Sequence, residues 1–341
     1  MKKATIDDVA LLAGVSIKTV SRVLNHEPKV RPSTQERVLK AMEELEYSPN
    51  SSARRLAGRR SYLLGLLYDN PGMSYITHIQ NGALEACRTD HYDIMIFPSH
   101  YGDPDLPRQV RDMIGSVRVD GVLLTPPICD MEGIRKELRG IGAANVVVSP
   151  GGDIGQRWAV LTNDREMCAT MVHHLARHRH RRIAFVLGDP DHRALEKRFR
   201  GYLDGMRSNN LAVDDSLCVQ GFNTFESGIE CGYRLLNMAK PPTAIFCATD
   251  DMAAGVMRVA HEKGLLIPAD LSVAGFDDAP VAVQTWPPLT TIRQPLHDMG
   301  RTAAELLIAR IRGTVSESTV QMVDAELIIR NSTGTVPAPK Y

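Results

Sequence analysis

The stretch Thr5-Ile-Asp-Asp-Val-Ala-Leu-Leu-Ala-Gly-Val-Ser-Ile-Lys-Thr-Val-Ser-Arg-Val-Leu-Asn25 decides how the remaining chain is read. Thr5 is a helix cap, and Asp8 stands three residues on, where its carboxylate reaches back to complete a capping box. Ile6, Val9, Ala10 and Ala13 recur at steps of three and four, so one face of this first helix is apolar. Gly14 accepts the left-handed backbone that a sharp turn demands. Ser16 caps a second helix, in which Val20, Val23 and Leu24 point inward. Ile17, Lys18, Ser21, Arg22 and Asn25 share the opposite stripe, which carries cations, hydrogen-bonding groups and one apolar tip. The pattern predicts a helix-turn-helix whose stripe suits the major groove of DNA. Taken alone, it also fits an ordinary amphipathic helical hairpin.

Working outward, Pro32 to Glu46 reads as a third helix with Val38, Leu39, Met42 and Leu45 on one face. Arg31 at its cap position is a poor cap, so this start is weaker by about 0.5–2 kcal/mol than one opened by Ser or Asp. A polar, basic stretch follows from Tyr47 to Arg60, with a helical pattern only between Ser51 and Ala57. That segment is too short to stay helical alone in water. It reads either as a plain linker or as a hinge that folds on DNA. In the second case Leu56, the sole large apolar residue among cations, is suited to wedge into the minor groove.

The 341 residues carry no net charge, but residues 1–60 hold 12 Lys or Arg against 7 Asp or Glu, leaving 28 against 33 for the rest. A basic head on a mildly acidic body points to a nucleic-acid contact made by the head alone. The length favours two or three domains. Cys87, Cys129, Cys168, Cys218, Cys231 and Cys247 are scattered, which suits reduced core thiols in a cytoplasmic protein. Asp7 and Asp8 break any leader-like apolar run after Lys2 and Lys3, and no apolar stretch reaches membrane-spanning length.

From Tyr62 onward, short apolar runs alternate with amphipathic stretches, the pattern of a parallel α/β body. Strands are expected at 62–68, 92–97, 121–125, 146–149, 160–162, 183–187, 243–248 and 272–276, with helices between most of them. The most amphipathic helix candidates are 75–88, 165–178, 195–208, 226–238, 251–263 and 296–312. The strand ends carry polar punctuation, such as Ala248-Thr-Asp-Asp251 and Gly275-Phe-Asp-Asp278, and strand ends border the ligand crevice in such sheets. Final strands at 289–293 and 320–329 flank one helix, which suggests a chain crossing between two lobes. The tail from Asn331 reads as disordered.

The head, the hinge motif Ser48-Pro-Asn with Ala53-Arg-Arg-Leu56, and the body motifs His180-Arg-Arg-Ile-Ala, Arg198-Phe-Arg-Gly-Tyr, Gly275-Phe-Asp-Asp and Pro288-Leu-Thr-Thr-Ile-Arg-Gln-Pro295 resemble bacterial lactose/galactose-repressor (LacI/GalR) family regulators. The resemblance covers nearly the whole chain. It implies an all-α helix-turn-helix head plus a two-lobed, periplasmic-binding-protein-like α/β effector domain of two doubly wound parallel sheets. The expected division is a head at 1–47, a hinge at 48–60, an effector and dimerisation domain at 61–333 and a disordered tail at 334–341. Within the body, one lobe spans about 61–161 and 293–320, the other about 162–290 and 321–333.

The resemblance further implies a cytoplasmic homodimer that represses carbohydrate-utilisation genes from a near-palindromic operator and is released by a sugar effector, a mono- or disaccharide. DNA contacts are expected from Thr5, Ser16, Ile17, Lys18, Thr19, Ser21, Arg22 and Asn25, and in the hinge from Ala53, Arg54, Leu56 and Arg59. Effector contacts are expected from Asp69, Asn70, Tyr75, Arg198, Phe222, Thr249, Asp277, Trp286 and Gln294. A guanidinium forks two vicinal hydroxyls, and a carboxylate accepts from two more. In place of an aromatic that many members carry in the crevice, the stretch Gly221-Phe-Asn-Thr-Phe225 puts Asn223, so stacking falls to Phe222, Tyr75 or Trp286. The tail also lacks the leucine heptads of tetrameric members.

No cofactor, metal or membrane contact is expected. His174 and His178 lie four apart on one helix face, but no carboxylate or cysteine cluster accompanies them. Asp250-Asp251 and Asp277-Asp278 are plainer as helix caps and hydroxyl acceptors than as paired acids of a hydrolase. The competing reading is an α/β sugar-handling enzyme or sugar-binding receptor with an incidental helical head.

Overall fold

The computed structural model describes residues 4–24, 30–47, 60–69, 72–152, 155, 158–315 and 317–336. The chain divides into two units, one ending at Ser61 and the other starting at Tyr62.

In the first unit, α1 (Ile6–Ala13), α2 (Ile17–Leu24) and α3 (Pro32–Glu44) surround a small apolar core built on Val9, Val20, Val23 and Val38. The capping box forms: Asp8 N donates to Thr5 Oγ1 at 3.4 Å and Thr5 N donates to Asp8 Oδ2 at 2.8 Å. Gly14 ends α1 at φ 63°, its N–H donating to the Ala10 and Leu11 carbonyls. Ser16 Oγ accepts from Thr19 N at 3.2 Å, which starts α2. Arg31 makes no side-chain cap bond to α3. One packing expectation is corrected. Leu39 is 51% exposed and Ala41 is buried in its place, because the inward stripe of α3 runs through 38, 41, 42 and 45 at helical spacing.

The second unit holds two parallel sheets. In chain order, β1 (Leu63–Tyr68), α4 (Met73–Thr89), β2 (Asp93–Pro98), α5 (Leu106–Val117), β3 (Gly121–Leu124), α6 (Glu132–Gly140), β4 (Ala144–Val148) and β5 (Ala159–Leu161) build the first lobe. The second lobe follows with α7 (Asp164–Arg177), β6 (Ile183–Leu187), α8 (Leu195–Ser208), β7 (Cys218–Gln220), α9 (Phe225–Leu236), β8 (Ala244–Cys247), α10 (Asp250–Glu262), β9 (Ser272–Ala274) and α11 (Val281–Gln284). The chain then runs through β10 (Thr291–Arg293), α12 (Leu296–Arg312), β11 (Val320–Met322) and β12 (Glu326–Ile328).

The first sheet has the order β11-β5-β4-β3-β1-β2 and the second β7-β6-β8-β9, while β10 and β12 form an antiparallel pair. Among the described residues the chain passes between the lobes three times: after β5, after β10 and after β11.

Alternation along β1 explains the layering. Leu64 and Leu66 enter the core shared with α4 and α12, and Leu63 and Leu67 enter the core on the opposite face with α5 and α6. Both faces are covered, so the strand is apolar throughout. The second lobe packs around Phe185, whose ring stacks on Tyr202 at 5.0 Å and meets Phe246 edge-on at 5.2 Å. Helices α4 and α12 cross at two glycines. A Cβ on Gly82 would lie 1.8 Å from the His297 carbonyl, and one on Gly300 would lie 2.1 Å from the Ile79 carbonyl. Both obstacles are backbone. Gly300→Ala is therefore expected to force the helices apart and cost about 1–3 kcal/mol, read as a lower denaturant midpoint.

Three expectations are corrected here. The three-residue edge strand β7 was not foreseen, because a run that short carries no periodicity. The single strand expected at 320–329 is two strands in different sheets: β11 joins β5 in the first lobe, so the crossing follows Met322 rather than Val320. The tail is not disordered from 334. Gly334 N donates to Ser272 Oγ at 3.0 Å and Val336 N to the His178 carbonyl at 3.0 Å. Residues 337–341 lie outside the described residues.

Candidate functional site

On the head, burial of Val20, Val23 and Leu24 turns the other side of α2 outward. Ser16, Ile17 and Lys18 are exposed, with Thr19, Ser21 and Arg22 half-buried beside them. Ile17 is 47% exposed, an apolar tip on a polar stripe. Thr5 is exposed at the start of α1, and its hydroxyl donates to Asp8 at 2.7 Å. Asn25 and the hinge residues Ala53, Arg54, Leu56 and Arg59 lie outside the described residues, as does Asn70 of the body.

In the second unit a cavity of about 670 Å³ opens between the lobes. Of the body residues expected to meet a ligand, Tyr75, Arg198, Thr249, Asp277 and Gln294 line it. Arg198, on α8, is its electrostatic centre. It is buried, with Nη1 donating to the Ala248 carbonyl at 2.5 Å and Nε to Asp164 Oδ2 at 3.4 Å. Nη2 lies 3.1 Å from Asp277 Oδ1, and the guanidinium sits 3.7 Å above the Phe276 ring. Burial opposes the guanidinium charge, yet Asp277 and Asp164 hold its pKa above the ordinary value. Thr162 Oγ1 donates to Asp164, and Gln294 Nε2 donates to Asp277 Oδ1 at 2.7 Å. Burial pushes the Asp277 carboxyl up to about 6, with Arg198 pulling it back.

Two polar atoms of the first lobe complete the cavity wall. Among the described residues the Tyr75 hydroxyl and Ser149 Oγ are buried without a hydrogen-bond partner. Burial raises the Tyr75 pKa, so the hydroxyl stays a donor. An unmet buried hydroxyl costs about 1–3 kcal/mol, which a ligand's oxygen recovers. Ser149, Asp164 and His192 also line the cavity and were not among the expected contacts. Asp164 carried a usable signal: Thr162-Asn-Asp164 ends β5 with the same polar punctuation as the other strands.

Three of the residues expected to meet the effector are not among those lining the cavity. Asp69 is not in the cavity wall: it accepts from Tyr101 N at 2.6 Å and acts on His192, which does line the cavity. Phe222 is 50% exposed and does not line it, because the left-handed turn at Asn223, φ 61°, brings the asparagine to the wall instead. Trp286 is 82% exposed on the surface beyond α11. Among the described residues the cavity therefore has no Phe or Trp ring to stack on, and Tyr75 is its one Tyr.

The histidines serve the C-terminal stretch. His174 Nε2 lies 2.9 Å from Thr333 Oγ1, His178 Nδ1 lies 3.1 Å from Thr335 Oγ1, and His180 Nε2 lies 2.9 Å from the Gly334 carbonyl. Among the described residues no group of three or more His, Cys, Asp or Glu is placed to hold a metal ion. Nor is any described helix long and apolar enough to cross a membrane.

Residues 5–50 match the bacterial regulatory proteins of the lacI family, and residues 172–333 match the periplasmic binding protein-like domain. The chain is 33% identical to the HTH-type transcriptional repressor PurR of Vibrio campbellii over 96% of its own length and 98% of that protein. It is 32% identical to catabolite control protein A of Priestia megaterium, over 96% and 99%. Its structure is similar to that of the lac repressor dimer bound to operator and the anti-inducer ONPF, with a TM-score of 0.76, 28% identity and coverage of 98% and 100%. It is also similar to the transcriptional regulator CelR in complex with cellobiose, with a TM-score of 0.74, 29% identity and coverage of 96% and 99%. These relatives are regulators rather than enzymes, and the enzyme alternative is set aside. The chain belongs to the lacI family of bacterial regulatory proteins, DNA-binding transcriptional repressors with an effector-binding body.

Proposed function

We propose that this repressor acts on carbohydrate-utilisation genes, binding a near-palindromic operator as a homodimer and letting go when a mono- or disaccharide closes the two lobes. The observation that carries the reading is the Arg198–Asp277–Gln294 cluster facing the unpartnered Tyr75 and Ser149 hydroxyls across one cavity. Every one of these groups donates to or accepts from a hydroxyl, and both arginines among the described lining residues are already matched by carboxylates: Arg198 by Asp164 and Asp277, Arg293 by Asp278 and Glu326. That balance favours an uncharged polyol over a phosphorylated one. The cavity volume suits either a mono- or a disaccharide. Cellobiose, the ligand of the CelR complex, is a natural first probe.

A thermal-shift series with mono- and disaccharides tests the reading, because a ligand that binds only the folded body raises its melting temperature. One or more neutral sugars are expected to stabilise the body and weaken operator binding. Stabilisation by purines or sugar phosphates alone would overturn the sugar assignment.

A pH dependence follows from Asp277. Its ionised carboxylate accepts ligand hydroxyls, and protonation removes that capacity. With a pKa of about 6, sugar affinity is expected to be full above pH 7 and to fall as pH drops through 6. The limiting slope is about tenfold per pH unit. Calorimetry at pH 5, 6 and 7.5 reads it, and a flat profile contradicts the assigned role.

A further inference from the structure

We infer that Asp250 is a positioning residue that ties the effector loop to the strand leading between the lobes. The purpose of this tie rests on the effector reading above, but its test does not. Three consecutive residues after β8 divide the work beneath the cavity. The Ala248 carbonyl holds Arg198, Thr249 lines the cavity and caps α10, and Asp250 turns under the floor with no exposure.

Asp250 Oδ2 accepts from Ala279 N at 2.7 Å, and Oδ1 accepts from Thr291 Oγ1 at 2.6 Å. One carboxylate thus joins the loop 275–279, which carries Asp277, to β10, which runs through Gln294 into α12. The loop lies hard against it: a Cβ on Gly275 would stand 2.2 Å from Asp250 Oδ1. Two backbone bonds reinforce the tie, Gly275 N to the Thr290 carbonyl at 3.0 Å and Asp277 N to the Ile292 carbonyl at 2.8 Å. Asp277 and Asp278 both hold positive φ, 114° and 53°, a backbone state that persists only where the surroundings enforce it. Asp250 shares that enforcement with Gln294 on Asp277 and Arg293 on Asp278. Burial, and Asp277 after it, push the Asp250 pKa well above the ordinary carboxyl value, and no cation pairs with it among the described residues; its bonded partners are a backbone amide and a hydroxyl, one on each side of the joint. A ligand that draws on Asp277 therefore pulls on Ala279, and the pull is delivered at Thr291, in one of the passages between the lobes.

The test is hydrogen exchange followed by mass spectrometry on the full chain with no ligand added. Thr291→Val removes the hydroxyl and keeps the side-chain shape, whereas Thr291→Ser keeps the hydroxyl and removes the methyl. Thr291→Val is expected to speed exchange about tenfold in 276–279 as well as in 291–294, leaving β6 and β8 as they are. Thr291→Ser is expected to exchange like the parent. Acceleration confined to 291–294, acceleration throughout the body, or equal effects of the two variants would each overturn the assignment. Asp250→Asn adds a second reading: its oxygen accepts from the Ala279 N–H and its amide donates to the Thr291 hydroxyl, so the tie is kept and both 277–279 and β10 should exchange like the parent. If that variant does not fold, the Thr291 pair decides alone. A failed sugar screen leaves this result untouched, and a failed exchange experiment leaves the sugar screen untouched.

Discussion

Arg198→Ala is expected to abolish effector-triggered release and to lower the stability of the body by about 3–5 kcal/mol, the cost of leaving buried charge without its partner. The removed guanidinium satisfies Asp164, Asp277 and the Ala248 carbonyl at once, so no neighbour is placed to replace it. Asp277 already sits at about 6 with Arg198 pulling it down, and it rises further once the arginine is gone. The sign follows. At pH 8 the variant must either hold the buried Asp277 carboxylate ionised or keep a proton against the bulk, whereas at pH 5 protonation is easy. The stability deficit is therefore largest above pH 7 and shrinks as pH falls through 6. Urea unfolding at pH 5 and pH 8 measures it, and a small deficit with no pH dependence would show that Arg198 does not hold the cavity together.

Arg22→Ala is expected to lose about 1–3 kcal/mol of preference at one operator base pair and its symmetry mate, and less elsewhere. Burial of Val20, Val23 and Leu24 sets which way α2 faces, and Arg22 lies on the other stripe with Ile17 and Lys18. Arg59→Ala, in the hinge, is expected to weaken every duplex alike and to lower the salt slope by about one. Binding to an operator set with single base-pair changes separates the two. A uniform loss for both variants would remove Arg22 from base reading.

Much of this was legible in the sequence where local chemistry decides the outcome. The capping box of Thr5 and Asp8, the turn at Gly14 and the inward face of α2 depend on neighbours within one helical turn. The parallel body was legible because strands buried on both faces, such as Leu63–Leu67, are apolar without a break. Arg198, Asp277 and Gln294 come together as the resemblance implied. What the sequence did not show needed long-range geometry. Phe222 and Asn223 are adjacent, and one left-handed residue decides which of them reaches the cavity. Asp69 finds Tyr101 N, thirty-two positions away. The split of 320–329 depends on which sheet each half meets, and a Thr335 hydroxyl is not predicted to meet His178 by any local pattern.

The central claim is that the head reads a two-fold symmetric duplex while the body senses a sugar. The most direct measurement titrates the full chain with a selected palindromic duplex and its scrambled counterpart over a salt series, with and without a sugar that raises its melting temperature. The account predicts a preference for the palindrome of about 10³-fold or more, affinity that falls steeply with salt, and release on adding that sugar. Equal affinity for both duplexes at every salt concentration would contradict it.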